Sequence, residues 1–290
     1  MKPFNAGKPI TLDEVSFTET SFTLKLRYFS HRHADKLLTA CGLLPELDAA
    51  FSNLVIPVFP GKSDAKDHRA GQQTVLQPVL NTLIELMLAR KGWLLQPQVK
   101  AKLDATRTRY FADFYKEAQA PASIAYVGDE NASLQVLMEV QFANTARSDS
   151  DLKKFNIGFS QGRCDVGVLV VPDKRMAACM SSNVANFEYV VDGLVELGQL
   201  MAPVPVLVVG LTQDDAPLVD LSLSRFTSAK QLTGRGSKRD RVGAAHALLQ
   251  GVELAHIGPG MDAPVNPELL QAGEGDDECI EQGDEISLDT

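Results

Sequence analysis

The sequence predicts an α/β protein built on a mixed central β-sheet with helices on its flanks. Three observations carry this. Two short, wholly apolar, β-branched runs, VGVLVVP (166–172) and VPVLVVGL (204–211), have the character of strands buried on both faces. A helical stretch from about Asn183 to Leu200 separates them, as in a strand–helix–strand unit. Ahead of both, LQVLMEVQF (134–142) alternates apolar and polar residues as a half-buried strand does.

The other elements follow in chain order. SFTLKLRYF (21–29) and NLVIPVFP (53–60) are strand-like, with a helical piece near Ala34–Phe51 between them. KSDAKDHRAG (62–71) is polar and reads as a loop. An amphipathic helix runs from about Thr74 to Lys91, with Val75, Val79, Leu83, Leu86 and Met87 at helical spacing. Gly92 suits the end of this helix, and Trp93 then packs back on it. Pro97 opens a second helical stretch, to about Ala118. SIAYV (123–127) reads as a strand and GDENAS (128–133) as a turn. A helix from Asp149 to about Gln161 follows a serine-rich cap. The resulting order suggests helices layered on both sides of one mixed sheet. Beyond Asp220 the pattern weakens, with a basic loop, GRGSKRDR (234–241), and a short helix at about Val242–Leu249.

Charge divides the chain into a body and a tail. The net charge is −9, from 37 acids against 28 bases over 290 residues. The segment 273–290 holds eight acids and no Lys or Arg, so 37 less 8 leaves 29 acids against 28 bases in the body. We therefore expect one domain over 1–272, with its core at about 74–211, and an acidic, disordered tail over 273–290. A near-neutral body with clustered bases is compatible with binding nucleic acid, which needs a local basic surface rather than a basic total. No apolar run is long enough to cross a bilayer, and the first residues lack the pattern of a signal peptide. Cys41, Cys164, Cys179 and Cys279 are widely spaced and form no metal-ligand pairs. The expected setting is the reducing cytoplasm.

Carboxylates carry the chemistry. Asp129, or its neighbour Glu130, stands at the predicted turn, and Asp129 is preferred because it follows a strand. Glu139 stands on the next strand, and Glu139 and Gln141, two apart, share a face. Hard oxygens gathered in this way suit Mg²⁺, which takes one or two carboxylates together with waters and substrate phosphate. Taken alone, such acids are most often solvated surface.

A longer run of sequence adds to this. Glu139-Val-Gln-Phe-Ala-Asn144, then DLKKFNIGF (151–159), then GRCDVGVLVVP (162–172) resembles type II restriction endonucleases of the BglII, BstYI and BamHI kind, within the PD-(D/E)XK nuclease superfamily. The resemblance covers about Asn81 to Leu211. It implies the restriction-endonuclease-like α/β/α core. It also implies a Mg²⁺-dependent enzyme, with Mn²⁺ able to substitute, that cuts double-stranded DNA at a short palindromic site. A homodimer and a cognate DNA methyltransferase encoded nearby belong to the same picture. Asp129, Glu139 and Gln141 would be catalytic, and Asp129, Glu139 and Val140 would hold the metal.

The sequence departs from the superfamily pattern in two places. No Pro-Asp dipeptide is present, and Gln141 stands where the wider superfamily has lysine. Glutamine handles no proton at neutral pH, so Gln141 would orient water or a metal-bound ligand. Glu85 or Asn81 would fill a helix position that the family places near the metals, although ordinary helix surface is the simpler reading. Asp165 is expected to be structural. Arg235, Lys238, Arg239 and Arg241 are the candidate DNA contacts. His31 and His33 lack a third metal ligand. A repair or transposon-associated nuclease on the same core, or a non-catalytic DNA-binding protein, are the alternatives.

Overall fold

The computed structural model describes residues 7–8, 24–60, 73–100, 110–121, 132–142, 144–180, 183–212, 218–263 and 270. The strands are β1 (Leu26–His31), β2 (Ile56–Pro60), β3 (Gln73–Val75), β4 (Leu94–Leu95), β5 (Gln98–Lys100), β6 (Tyr110–Phe111), β7 (Phe114–Gln119), β8 (Ser133–Val140), β9 (Val166–Pro172), β10 (Val206–Leu211) and β11 (Leu218–Asp220). The helices are α1 (Ala34–Ala40), α2 (Leu43–Ser52), α3 (Gln77–Arg90), α4 (Thr145–Ser160), α5 (Lys174–Ala177), α6 (Phe187–Met201), α7 (Lys230–Thr233) and α8 (Lys238–Leu249).

The central sheet has six strands in the order β1-β10-β9-β8-β7-β4. Its middle strands β10, β9 and β8 are parallel, with β1 antiparallel to β10 at one edge, β7 antiparallel to β8 on the other side, and β4 antiparallel to β7 beyond it. This is the mixed sheet that the sequence predicts. Strands β9 and β10 are buried along their whole length, as their unbroken apolar runs require.

Alternation of side chains divides the core between the two faces of the sheet. Val136, Met138, Val168, Val170, Leu207 and Val209 pack with α1, α2, α3 and α8 on one face. Leu137, Leu169, Val171, Val206 and Val208 pack on the other against Leu152 and Phe155 of α4 and Phe187, Val190 and Leu194 of α6. Two glycines let these last helices sit close. A Cβ on Gly167 would lie 2.5 Å from Phe155 Cδ2, and one on Gly210 would lie 2.6 Å from Phe187 Cδ2. Each aromatic ring therefore fills the space that a side chain on the strand would take.

Helix α3 ends as predicted. Gly92, at φ 79°, donates its N–H to Ala89, and the Trp93 N–H reaches Leu88, which is the paired bonding of a Schellman cap. Trp93 is buried, and its indole N–H donates to Glu46. The helical piece near Ala34–Phe51 divides in two at Gly42, which has φ 72°.

Two expectations fail in the first half of the chain. Thr74 and Val75 do not open the helix: they belong to β3, paired with β2, and the helix begins at Gln77. The stretch from Pro97 to Ala118 is not a helix; its described residues form β5, β6 and β7. Phe114 packs into one core and Tyr115 into the other, while β7 pairs along its length with β8. Pairing and aromatic burial outweigh the mixed charge that imitates an amphipathic helix. The predicted strand 123–127, the loop 62–71 and the acidic tail lie outside the described residues. Among the described residues no helix is long and apolar enough to cross a membrane.

Candidate active site

Glu139 lies next to the last residue of β8. It shares the face of Leu137, so its carboxylate is directed toward the α4 layer. Gln141 follows on the same side. Neither is solvated surface: Glu139 is 3% exposed and Gln141 6%.

The hairpin of β7 and β8 brings a second acid to this end of the strand. Phe114 pairs with Met138, which sets Asp113, just before β7, level with the end of β8. Asp113 Oδ2 accepts the backbone N–H of Val140 at 2.8 Å. The other end of the hairpin closes where the Ala120 N–H donates to the Ala132 carbonyl.

Helix α4 supplies the remaining groups. Asp151 and Lys154 are three residues apart, so both point down onto the sheet. Lys154 Nζ lies 3.0 Å from Glu139 Oε1 and 3.1 Å from Asp151 Oδ1, and it donates to Glu139 Oε2 at 3.1 Å. Gln141 Nε2 donates to Asp151 Oδ2 at 2.7 Å. Asp151 is 3% exposed.

So many charges in a dry place perturb one another. Burial pushes the Glu139 carboxyl well above the usual carboxylate range; Lys154 opposes this, and the nearby charges of Asp113 and Asp151 add to it. Burial also raises Asp151, to about 6, with Lys154 and the Gln141 hydrogen bond pulling the other way. Burial alone would depress Lys154, but the carboxylates of Glu139, Asp151 and Asp113 outweigh it and push the ammonium above the ordinary lysine value.

The donor set fits a divalent cation. Glu139 Oε1 is buried and accepts no hydrogen bond. It therefore keeps lone-pair capacity, although it lies close to the Lys154 ammonium. Among the described residues no three of His, Cys, Asp or Glu are gathered closely enough to hold a metal alone. Carboxylates from Asp113 and Glu139, the Val140 carbonyl, waters and substrate oxygens would have to share one, the manner usual for Mg²⁺.

The structure thus joins Glu139, Val140 and Gln141, and adds Asp113, Asp151 and Lys154, which the sequence reading did not single out. Asp129 and Glu130 lie outside the described residues. Glu85 is buried on α3, a helix that packs on the opposite face of the sheet, as does Asn81. The charges acting most strongly on Glu139 come instead from Asp113, Asp151 and Lys154.

The basic segment also differs from expectation. It is not a loop: Arg235 lies in a 3-10 turn, and Lys238 begins α8. Lys238 is 8% and Arg241 2% exposed, and Arg241 Nη1 donates to the Leu232 carbonyl. Both belong to the interior. They lie three residues apart on the first turn, so α8 carries both on one side. Arg239 is exposed, 3.9 Å from Asp262. His31 bonds to the Ala202 carbonyl, away from the site. Asp165 is structural, as expected: it accepts the Gln135 N–H and donates its own N–H to the Gln135 carbonyl, joining β8 to the start of β9. Asp151-x-x-Lys154 could have been noticed as an acid–base pair at helical spacing directly after the Glu-x-Gln strand.

A family model for restriction endonuclease BglII/BglIII matches residues 26–211. The chain belongs to that family. The match runs from the start of β1 to the end of β10 and so spans the central sheet, the hairpin and α4; it begins well before Asn81. Membership implies a DNA-cleaving hydrolase, and restriction endonucleases of this family generally use divalent metal ions. Among solved structures, the crystal structure of restriction endonuclease BglII complexed with a DNA 16-mer is similar at 20% identity over 66% of this chain and 78% of that one, with a TM-score of 0.47. The crystal structure of free BglII is similar at 17% identity over 65% and 79%, with a TM-score of 0.41. A comparison with curated protein sequences gives no match.

Proposed function

We propose that this protein is a type II restriction endonuclease, a Mg²⁺-dependent enzyme that cuts both strands of DNA at a short palindromic site. Water attacks the phosphodiester and leaves a 5′-phosphate and a 3′-hydroxyl. The observation that carries the reading is the buried Glu139 carboxylate at the end of β8, with Asp113 brought beside it by the hairpin. A bound Mg²⁺, for which Mn²⁺ would substitute, supplies an acidified water and positive charge for the phosphoryl oxygens.

This chain's own residues then have separate tasks. Asp113 and Glu139 hold the cation together with the Val140 carbonyl, whose peptide is fixed because its N–H, that of Gln141, donates to the Val170 carbonyl. Gln141 is held by Asp151, which aims its amide along the strand end and lets it orient a water without exchanging a proton. The close cover of α4 keeps the carboxylates out of bulk solvent, in a sheltered place where a charge acts more strongly than in water. Arg235 and Arg239 are the remaining candidates of the basic segment for contact with DNA. A two-fold homodimer gives one such site per strand of a palindrome. A cognate methyltransferase would protect the host's own sites.

The test is digestion of unmethylated DNA of known sequence, with the ends mapped. The reading predicts discrete fragments with Mg²⁺ and none with EDTA. Folded protein that cuts no duplex with Mg²⁺ or Mn²⁺ would contradict it.

A further inference from the structure

In the wider superfamily a lysine two residues after the strand acid sets a positive charge beside the attacking water and the phosphate, and here that position is Gln141. An amide supplies only a dipole. Yet the site is not without a cation. The Lys154 ammonium reaches it from the opposite side, from α4, and stands within 3.1 Å of both Glu139 and Asp151. Its side chain keeps 17% exposure while each carboxylate keeps 4%, so the ammonium lies on the more open side of the cluster.

We propose that Lys154 supplies the positive charge that Gln141 does not, as a catalytic residue of the nuclease site. The inference rests on the reading of the site as a metal-dependent nuclease. In the metal-free protein Lys154 is the counter-ion of Glu139 and Asp151. It bridges the two carboxyl groups and keeps the site assembled. A divalent cation held by Glu139 would take over half of that task. Lys154 then remains on Asp151, and an ammonium with three donors has hydrogen bonds to spare for the water or the phosphate. Asp151 has a matching double role, because one oxygen binds the lysine and the other binds Gln141. The helix thereby sets the spacing between the charge and the amide.

This arrangement separates two readouts that a merely structural lysine would move together. The lysine repels a divalent cation and competes for Glu139, so its loss should not weaken metal binding. Its loss should slow the reaction. In Lys154→Met, Mn²⁺ affinity without DNA, read by calorimetry, is expected to be unchanged or tighter, by up to about tenfold. Single-turnover cleavage at saturating Mn²⁺ is expected to fall about 10²-fold. Lys154→Arg, which keeps the charge, is expected to retain an intermediate rate. Cleavage by Lys154→Met within about threefold of wild type overturns the inference, and so does a joint loss of Mn²⁺ binding and cleavage, which would mark Lys154 as scaffolding. If the methionine variant shows no cooperative melt, Lys154→Gln gives the same two readings, with a donor kept for the carboxylates. Wild-type protein that never cuts DNA would defeat the nuclease reading itself. Wild type that cuts no faster than Lys154→Met defeats only the role of Lys154.

Discussion

Asp113 Oδ2 accepts the backbone N–H of Val140 at 2.8 Å, and this bond ties the residue before β7 to the last residue of β8. The strand end that presents Glu139 is therefore held from its neighbour strand by a carboxylate that is itself a candidate metal ligand. Asp113→Ala should cost about 10³-fold in cleavage, the scale of the several kcal/mol that a metal supplies to a phosphoryl transition state. Asp129→Ala should cut at close to the wild-type rate. Plasmid cleavage by the two variants side by side decides which acid serves, since a silent Asp113→Ala beside a dead Asp129→Ala would give the role to Asp129.

Gln141 is buried and bonded to Asp151, so it does not simply face solvent. Gln141→Ala should slow the chemical step about 10²-fold, the scale of a lost positioning group. Gln141→Glu adds a carboxylate beside Asp151 and Glu139, and should shift the preference toward Mn²⁺ over Mg²⁺. Single-turnover rates in each metal test this. Equal rates in both variants and wild type would remove Gln141 from the site.

Gly167 determines how closely α4 approaches the sheet, because Phe155 occupies the space of its missing side chain. Gly167→Ala should destabilise the fold by about 1–3 kcal/mol through overpacking. It should also slow cleavage, because Phe155 is next to Lys154 and one turn from Asp151. Phe155→Leu in the same chain should restore part of both losses. Thermal melts and cleavage rates check this, and an unchanged melt would mean that α4 adjusts freely.

Asp151 gives a pH dependence whose sign is fixed. Its carboxyl is raised by burial from 3.8 to about 6 in the folded protein. Between these values the native state binds more proton than the unfolded state, so this group's contribution to stability is complete below the lower value and is lost as pH rises through the upper one. Asp151→Asn removes that loss. Relative to wild type in EDTA, the variant should gain stability as pH rises across this window and level off above it. Urea unfolding at several pH values measures the difference, and a pH-independent gap would contradict the prediction.

Much of this frame was legible in the chain. Strands β9 and β10 announce themselves because burial on both faces leaves no polar alternation to confuse, and Gly92 marks the end of α3 by backbone geometry alone. Strand β7 does not announce itself. Its FYKEAQ imitates an amphipathic helix, and only its pairing with β8 makes it a strand. Asp113 has no local mark for the same reason, since it meets Val140 only after the hairpin forms. Glu139 and Gln141 were legible because two positions on one strand always share a face. Asp151 and Lys154 look like helix surface, and nothing local shows that their face is turned toward buried carboxylates. Lys238 and Arg241 mislead in the opposite sense, as a basic run that reads as solvated and is packed inside.

The central claim is that the carboxylate cluster at the end of β8 cuts DNA, and Glu139→Ala tests it most directly. Affinity for DNA comes mainly from phosphate and base contacts, while this carboxylate is assigned to the metal. The measurement is single-turnover cleavage of a duplex carrying the mapped site, by variant protein shown to bind that duplex. The account predicts binding close to wild type and no detectable cleavage with Mg²⁺ or Mn²⁺. Cleavage by Glu139→Ala at the wild-type rate would contradict it and place the chemistry elsewhere in the molecule.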